Sequence, residues 1–139
     1  MIMVVDMSVV LAWYFEEAQT SKALGVLKLI GKNGVLVPEL WWCELENGIL
    51  MGERRARKTP TDSAAFLKLV RALPIETDQT PRRQISDRIL DLGRQHQLTA
   101  YDATYLELAI RETVPLATFD EALRRSARAM GVSVMPTAG

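Results

Sequence analysis

Short apolar runs alternate with longer segments of helical periodicity along the chain, and this alternation constrains the fold more than any other feature. The apolar runs have the length of buried strands, and between them apolar residues recur at three- and four-residue steps. Such alternation predicts a parallel sheet with helices on both of its faces. The predicted strands are residues 1–5, 35–37, 74–77, 114–118 and 132–135.

The predicted helices fill the segments between these strands. Ser8 is the predicted cap of the first helix, Gly31 and Gly34 are predicted to end the second, and Thr99 is predicted to cap the helix that contains Asp102. The predicted helices are residues 9–15, 20–30, 38–58, 65–73, one that begins at 80–81, 101–110 and 120–130.

Composition narrows the class of protein. The chain has 139 residues, 48% of them hydrophobic, so we expect one domain over residues 1–139 with a sizeable core. Its 17 basic and 17 acidic residues cancel, which argues against a polybasic tail. Cys43 and His96 are the only residues of their types, which excludes an intrachain disulfide and a cysteine-based or multi-histidine zinc site.

The N-terminal segment lacks the pattern of a signal peptide, because Asp6 interrupts its first apolar run. No apolar stretch approaches the ~20 residues that a membrane-spanning helix needs. We therefore expect a cytoplasmic protein without a membrane partner.

Four acids fall near the expected carboxyl ends of the strands, where ligands bind in open parallel sheets. Carboxylates that converge raise one another's pKa unless a cation lies among them, and Mg²⁺ binds such oxygen ligands together with phosphates. Taken singly, an aspartate after a strand is more often a helix cap than a metal ligand. Glu44 is less easily explained in this way, because it and Asn47 share an otherwise apolar helix face. The four acids are Asp6, Glu44, Asp102 and Asp120.

These acids lie in segments that resemble a PIN domain, and most of all a VapC-type toxin ribonuclease. The resembling segments, in the order typical of the family, are MVVDMSV at 3–9, VPELWWCELEN at 37–47, LTAYDATYL at 98–106 and LATFD at 116–120. Each segment is weak evidence alone, whereas the ordered set is quite specific and extends over essentially the whole chain.

The resemblance implies a three-layer α/β/α sandwich with a central parallel sheet and an active site that binds Mg²⁺ or Mn²⁺. Asp6 and Asp102 match the usual direct metal ligands, and Glu44 matches a residue that supports the metal or its water. Hydroxyls that match Ser8 and Thr118 commonly line the same pocket, and Asn47 matches a residue beside the glutamate. The implied catalytic set is Asp6, Glu44, Asp102 and Asp120.

The resemblance also implies an activity and partners. The reaction would be metal-assisted hydrolysis of phosphodiester bonds in transfer, ribosomal or messenger RNA, which inhibits growth or translation. Toxins of this type pair with a small antitoxin and commonly form homodimers. Basic side chains would have to hold RNA around the acidic centre, although each is individually more often an ordinary surface charge. The candidates are Arg54, Arg55, Arg57, Lys58, Arg82, Arg83, Arg124, Arg125 and Arg128.

The alternatives to a ribonuclease are another acidic-site enzyme, a nuclease that acts on DNA and a non-catalytic binding module. A haloacid-type phosphatase needs a second aspartate where Ser8 stands, and a receiver domain needs a lysine near Thr118. Nucleases of the wider fold that act on DNA usually carry further acids and appended elements. The principal alternative is a non-catalytic PIN-fold module that binds RNA or another protein, against which the presence of all four acids counts.

Overall fold

The computed structural model describes residues 2–16 and 19–137. Their strands form a five-stranded parallel sheet in the order β3-β2-β1-β4-β5. The predicted first strand begins at Met1, which lies outside the described residues. The strands are β1 Met3–Val5, β2 Val35–Val37, β3 Ile75–Thr77, β4 Leu116–Ala117 and β5 Val134–Met135.

Seven helices connect and flank these strands in the described part of the chain. Right-handed crossovers place the helices before β3 on one face of the sheet and those after β3 on the other. The predicted α/β/α sandwich with a central parallel sheet is therefore confirmed. The helices are α1 Met7–Phe15, α2 Thr20–Asn33, α3 Glu39–Arg54, α4 Pro60–Arg71, α5 Arg82–His96, α6 Ala100–Glu112 and α7 Glu121–Ala129.

The three central strands are buried on both faces, as their uninterrupted apolar sequences require. In β1, Val4 pairs with Leu36 of β2 and with Leu116 of β4. Chain direction across the sheet reverses between β1 and β4, because β1 leads to β2 on one side whereas β4 is reached only after β3. This junction is a topological switch point, where ligands of open parallel sheets bind.

The predicted caps of the first two helices were partly wrong. Helix α1 begins at Met7 rather than Val9, and Asp6 rather than Ser8 is its N-cap, because the Asp6 carboxylate accepts the Ser8 backbone N–H. Helix α2 continues through Gly31 and ends at Gly34, whose φ of 88° suits glycine. Asp6 and Ser8 are both residue types that cap helices. Asp6, which directly follows β1, is the one that caps α1.

The fourth helix also begins earlier than predicted, at Pro60 rather than Ala65. Thr59 and Asp62 form a reciprocal capping box in which each side chain accepts the other's backbone N–H. The Thr99 cap is confirmed, since its hydroxyl accepts the Asp102 N–H at 3.1 Å. Strands β3, β4 and β5 are shorter than predicted.

Two glycines let α1 and α3 approach closely. A Cβ atom on Gly48 would lie 2.6 Å from the Leu11 side chain, and one on Gly52 would lie 2.7 Å from the Phe15 ring. At either position a Cβ would force the neighbouring side chain or the helix itself to shift, so glycine allows Leu11 and Phe15 to pack directly on the α3 backbone. The close packing holds α3, which carries Glu44, against α1, which follows Asp6.

The far edge of the sheet is fixed by a buried arginine. Arg124 of α7 is only 6% exposed and donates hydrogen bonds to the carbonyl oxygens of Thr118, Met135 and Pro136 at 2.8, 3.2 and 2.7 Å. The guanidinium thus joins the carboxyl ends of β4 and β5. None of the described helices is long and apolar enough to cross a membrane.

Candidate active site

The switch point between β1 and β4 brings Asp6 and Thr118 together although 111 residues separate them in sequence. The Asp6 backbone N–H donates to the Ala117 carbonyl at 3.0 Å and so extends the pairing of the two strands. Beyond it, the Thr118 hydroxyl donates to Asp6 Oδ2 at 2.6 Å. The predicted juxtaposition of the two strand ends is therefore observed at atomic contact.

Hydroxyl groups fix the Asp6 carboxylate in one orientation. Oδ1 accepts both the Ser8 N–H at 3.0 Å and the Ser8 hydroxyl at 2.6 Å. Since each carboxylate oxygen has about two lone-pair sites, Oδ1 is saturated, whereas Oδ2, with Thr118 as its donor, keeps one site open. The hydroxyls are themselves held, because Ser8 Oγ accepts the Phe119 N–H and Thr118 Oγ1 accepts the Asp120 N–H.

Burial makes Asp6 an unusual carboxylate. Asp6 is only 5% exposed, and burial away from water raises its pKa to about 6. Hydrogen bonds from Ser8 and Thr118 oppose this rise, while the negative charge of Asp102 adds to it. No positive side chain contributes to this balance.

Glu44 of α3 is held by a residue that our sequence analysis did not identify as part of the site. The hydroxyl of Tyr105, in α6, donates a short hydrogen bond to Glu44 Oε1. Tyr105 is 1% exposed, and burial raises its pKa so far that the hydroxyl stays protonated and remains a donor. Burial also raises the pKa of Glu44; the Tyr105 hydrogen bond lowers it and the Asp102 charge raises it further.

A signal for Tyr105 was available in the sequence. It lies three residues after Asp102 on the same helix, so the two side chains share one face of α6. What could not be read from the sequence was that α3 places Glu44 against this face.

Asp102 is the electrostatic centre of the four acids. It lies in the first turn of α6, half-buried, and its charge raises the pKa of both Asp6 and Glu44. The pKa of Asp102 is itself raised, first by burial and then by the charge of Asp120, against a hydrogen bond from Thr99. The structure therefore brings all four predicted acids within electrostatic reach of one another through Asp102.

Asp120 and Asn47 lie at the rim of this site. Asp120 is exposed and caps α7, since its Oδ1 accepts the Leu123 N–H at 2.8 Å. It is thus a helix cap and a neighbour of Asp102 at once. Asn47 is exposed one turn after Glu44 and lines a cavity together with Ser8.

The donor set suits a hard divalent cation at an open site. Every donor is oxygen, three of the four acids have raised pKa values, and none of the four forms an ion pair with a described Lys or Arg. Within residues 2–16 and 19–137, no three His, Cys, Asp or Glu side chains group tightly enough to hold a metal by themselves. A cation here would therefore retain water ligands, as Mg²⁺ does in proteins.

The structure removes one residue from the predicted RNA-binding set. Arg124 is buried and bonded to three carbonyl oxygens, so its guanidinium is not available to a ligand. Arg57 and Lys58 lie over the rings of Phe15 and Tyr14 at 4.3 and 5.2 Å. The other candidates are exposed: Arg54, Arg55, Arg82, Arg83, Arg125 and Arg128.

Three solved structures resemble this chain in fold. PAE2754 from Pyrobaculum aerophilum is 22% identical with a TM-score of 0.69, over 96% of this chain and 92% of that one. VapBC2 from Rickettsia felis, bound to a DNA fragment from their promoter, is 15% identical with a TM-score of 0.68, over 96% and 97%. FitAcB from Neisseria gonorrhoeae is 16% identical with a TM-score of 0.63, over 95% of each chain.

Sequence comparison identifies the family. No curated protein is significantly similar to this chain as a whole. The PIN domain, whose members are generally nucleases that use divalent metals, matches residues 3–129. This match covers most of the chain and agrees with the acidic site at its switch point, and the chain therefore belongs to the PIN domain family.

Proposed function

We propose that this chain is a Mg²⁺- or Mn²⁺-dependent endoribonuclease, that residues 1–139 act as one PIN-like domain, and that it is the toxin of a toxin–antitoxin pair. The observation that carries the nuclease proposal is the meeting of four carboxylates around Asp102 without a neighbouring positive side chain. Burial raises the pKa of Asp6, Glu44 and Asp102, and the charge of a neighbouring acid adds to each rise. A divalent cation would relieve this repulsion and could bind a substrate phosphate at the same time.

The proposed roles follow from the contacts of each acid. Asp6, through the open lone pair of Oδ2, and Asp102 would be the direct metal ligands. Ser8 and Thr118 fix the Asp6 carboxylate, and Tyr105 fixes that of Glu44. A divalent metal, when bound, supplies an activated water and neutralises charge that develops on the phosphodiester.

The remaining side chains suit accessory roles. Glu44 is half-buried with a raised pKa, so it can orient a water or accept its proton. Asp120 would complete the acidic set, and Asn47 would contact substrate beside Glu44. The exposed arginines would contact RNA phosphates, and single-stranded or looped RNA suits the site because its bases can be splayed apart.

The proposed partners are RNA, an antitoxin and a second copy of this chain. VapBC2 and FitAcB support the antitoxin proposal. The antitoxin would block the acidic site, and the free toxin would cleave transfer, ribosomal or messenger RNA in the cytoplasm. The homodimer remains a proposal from family resemblance.

The test is cleavage of a mixed cellular RNA pool by purified protein, with Mg²⁺ or with chelator. Asp6→Asn and Asp102→Asn remove the proposed ligands, and Glu121→Gln is the matched control because this exposed acid is not one of the four and is not the N-cap of α7. We expect discrete fragments that require Mg²⁺, a loss of about 100-fold or more in each ligand variant, and full activity in the control.

Cleavage that persists with chelator and in both ligand variants would come from a contaminant, and the preparation would have to be purified further before the test is read. One result would contradict the proposal. Absence of cleavage by folded, metal-bound protein would favour the non-catalytic binding module instead.

A further inference from the structure

A cavity of about 470 Å³ opens beside the acidic site, between α1 and α3. Its walls are largely apolar, with Leu11 from α1, Leu40 from α3 and Tyr101 from α6 among the lining residues. Two members of the acidic site, Ser8 and Glu44, line the same cavity. A ligand whose phosphate meets the carboxylates would therefore have its adjoining atoms in this cavity.

Tyr101 is the most exposed large hydrophobic side chain in the described residues. It is 60% exposed, although it directly precedes Asp102 at the start of a helix whose next seven residues are mostly buried. An exposed aromatic ring next to a catalytic acid gains nothing from core packing, whereas it offers a flat face on which a nucleobase can stack.

The polar side chains that line the cavity are few, and Asn47 is one of them. The Asn47 amide is exposed and has both a donor and an acceptor, the pair of groups that reads a base edge such as that of adenine. A volume of this size lies in the range of small-ligand sites.

We propose that this cavity binds one nucleobase of the RNA substrate, next to the scissile phosphate, with the base stacked on Tyr101 and its edge hydrogen-bonded to Asn47. The proposal rests on the ribonuclease function proposed above and assigns it a specificity-determining subsite. The base bound there would set the preferred nucleotide beside the cleavage site.

The cavity contains its own chemical reporter. Cys43, the only cysteine of the chain, is exposed and lines the cavity, so a bound base would shield its thiol. The first experiment measures the rate at which iodoacetamide alkylates Cys43 in the presence of Mg²⁺ and AMP, CMP, GMP or UMP. Ribose 5-phosphate is the matched control, because it has the sugar and phosphate but no base.

We expect at least one nucleotide to slow alkylation while ribose 5-phosphate does not. Tyr101→Ala should weaken the affinity of that nucleotide by about tenfold, whereas Tyr101→Phe, which keeps the ring, should retain it. Equal protection by ribose 5-phosphate, or protection that survives Tyr101→Ala unchanged, would overturn the proposal.

The second experiment compares cleavage of an RNA with that of the same RNA made abasic beside the cleavage site. Tyr101→Ala should raise KM about tenfold for the complete RNA and have little effect on the abasic one. If wild type cleaves, but no nucleotide protects Cys43 and Tyr101→Ala cleaves normally, the base subsite is refuted and a protein partner becomes the occupant to test.

The two proposals can fail separately. Without any RNA cleavage the nuclease function fails, while the protection of Cys43 still decides whether the cavity binds a base. Base-dependent protection without cleavage would support an RNA-binding module with this same subsite.

Discussion

Replacing Asp6 by asparagine should remove a cost to folding that grows as pH rises. The pKa of Asp6 is about 6 in the folded chain, against about 3.9 for an aspartate in an unfolded chain. The difference is about two pKa units, each equivalent to 1.36 kcal/mol, so ionised Asp6 costs the folded state roughly 3 kcal/mol.

The sign of the pH dependence follows from which state holds the proton. Below about pH 4, Asp6 is protonated in both states, and its ionisation costs nothing. Between about pH 4 and pH 6 the unfolded chain loses the proton while the folded chain retains it, so stability falls as pH rises. Above about pH 7 the full cost is present. Asparagine does not titrate, so the stability of the variant lacks this contribution to the pH dependence.

The assay is thermal and urea unfolding of wild type and Asp6→Asn between pH 4 and pH 8 without divalent metal. The quantity of interest is the change with pH in the stability difference between the two proteins, because it cancels any constant loss of hydrogen bonds from Ser8 and Thr118. We expect this difference to shift by about 3 kcal/mol in favour of the variant, or roughly 10 °C in Tm.

Asp87→Asn, at an exposed helix position, is the control and should show no such shift. Added Mg²⁺ should stabilise wild type more than Asp6→Asn, since a ligand that binds only the folded state adds its binding free energy. A stability difference that stays constant from pH 4 to pH 8 would refute the argument that burial outweighs the hydroxyl hydrogen bonds at Asp6.

The remaining predictions concern residues that support the site, each tested by urea unfolding at pH 7. Tyr105→Phe removes the donor to Glu44 and should lower the free energy of unfolding by about 1.5–3 kcal/mol, with a fall in RNA cleavage rate. Gly48→Ala should cost about 1–3 kcal/mol, because the added methyl overpacks against the Leu11 side chain and must displace it or α1. Gly25→Ala, whose Cβ meets nothing within 4 Å, should be neutral or stabilising. Replacing Arg124 by leucine strips three carbonyl oxygens of their donor and should cost about 2 kcal/mol or more; an unchanged stability would contradict its role at the sheet edge.

The layers of the fold were predictable because they depend on local pattern. Strand β2 was predicted with its correct ends, and the Thr99 cap was identified from residue type and position. The convergence of Asp6 with Thr118 was also within reach, because both follow strands and the carboxyl ends of parallel strands share one edge.

What escaped prediction depends on contacts between distant elements. Tyr105 acts on Glu44 only because α3 and α6 meet, and nothing in either segment alone reports this contact. Arg124 has the appearance of a surface charge in a basic helix, yet the ends of two strands surround it. The exposure of Tyr101 was likewise unforeseen, since the residues that follow it are buried.

The order of the strands has a consequence for the timing of synthesis. The acids at the switch point come from residues 6 to 120, and β4, which lies beside β1, is made after three other strands and six helices of the described chain. At about 5–20 residues per second, roughly 6–23 s pass between the translation of Asp6 and that of Asp120. A nascent chain released or stalled in this interval lacks part of its acidic centre. A ribosome that makes this protein is therefore not exposed to an assembled site until it has translated the chain as far as Asp120.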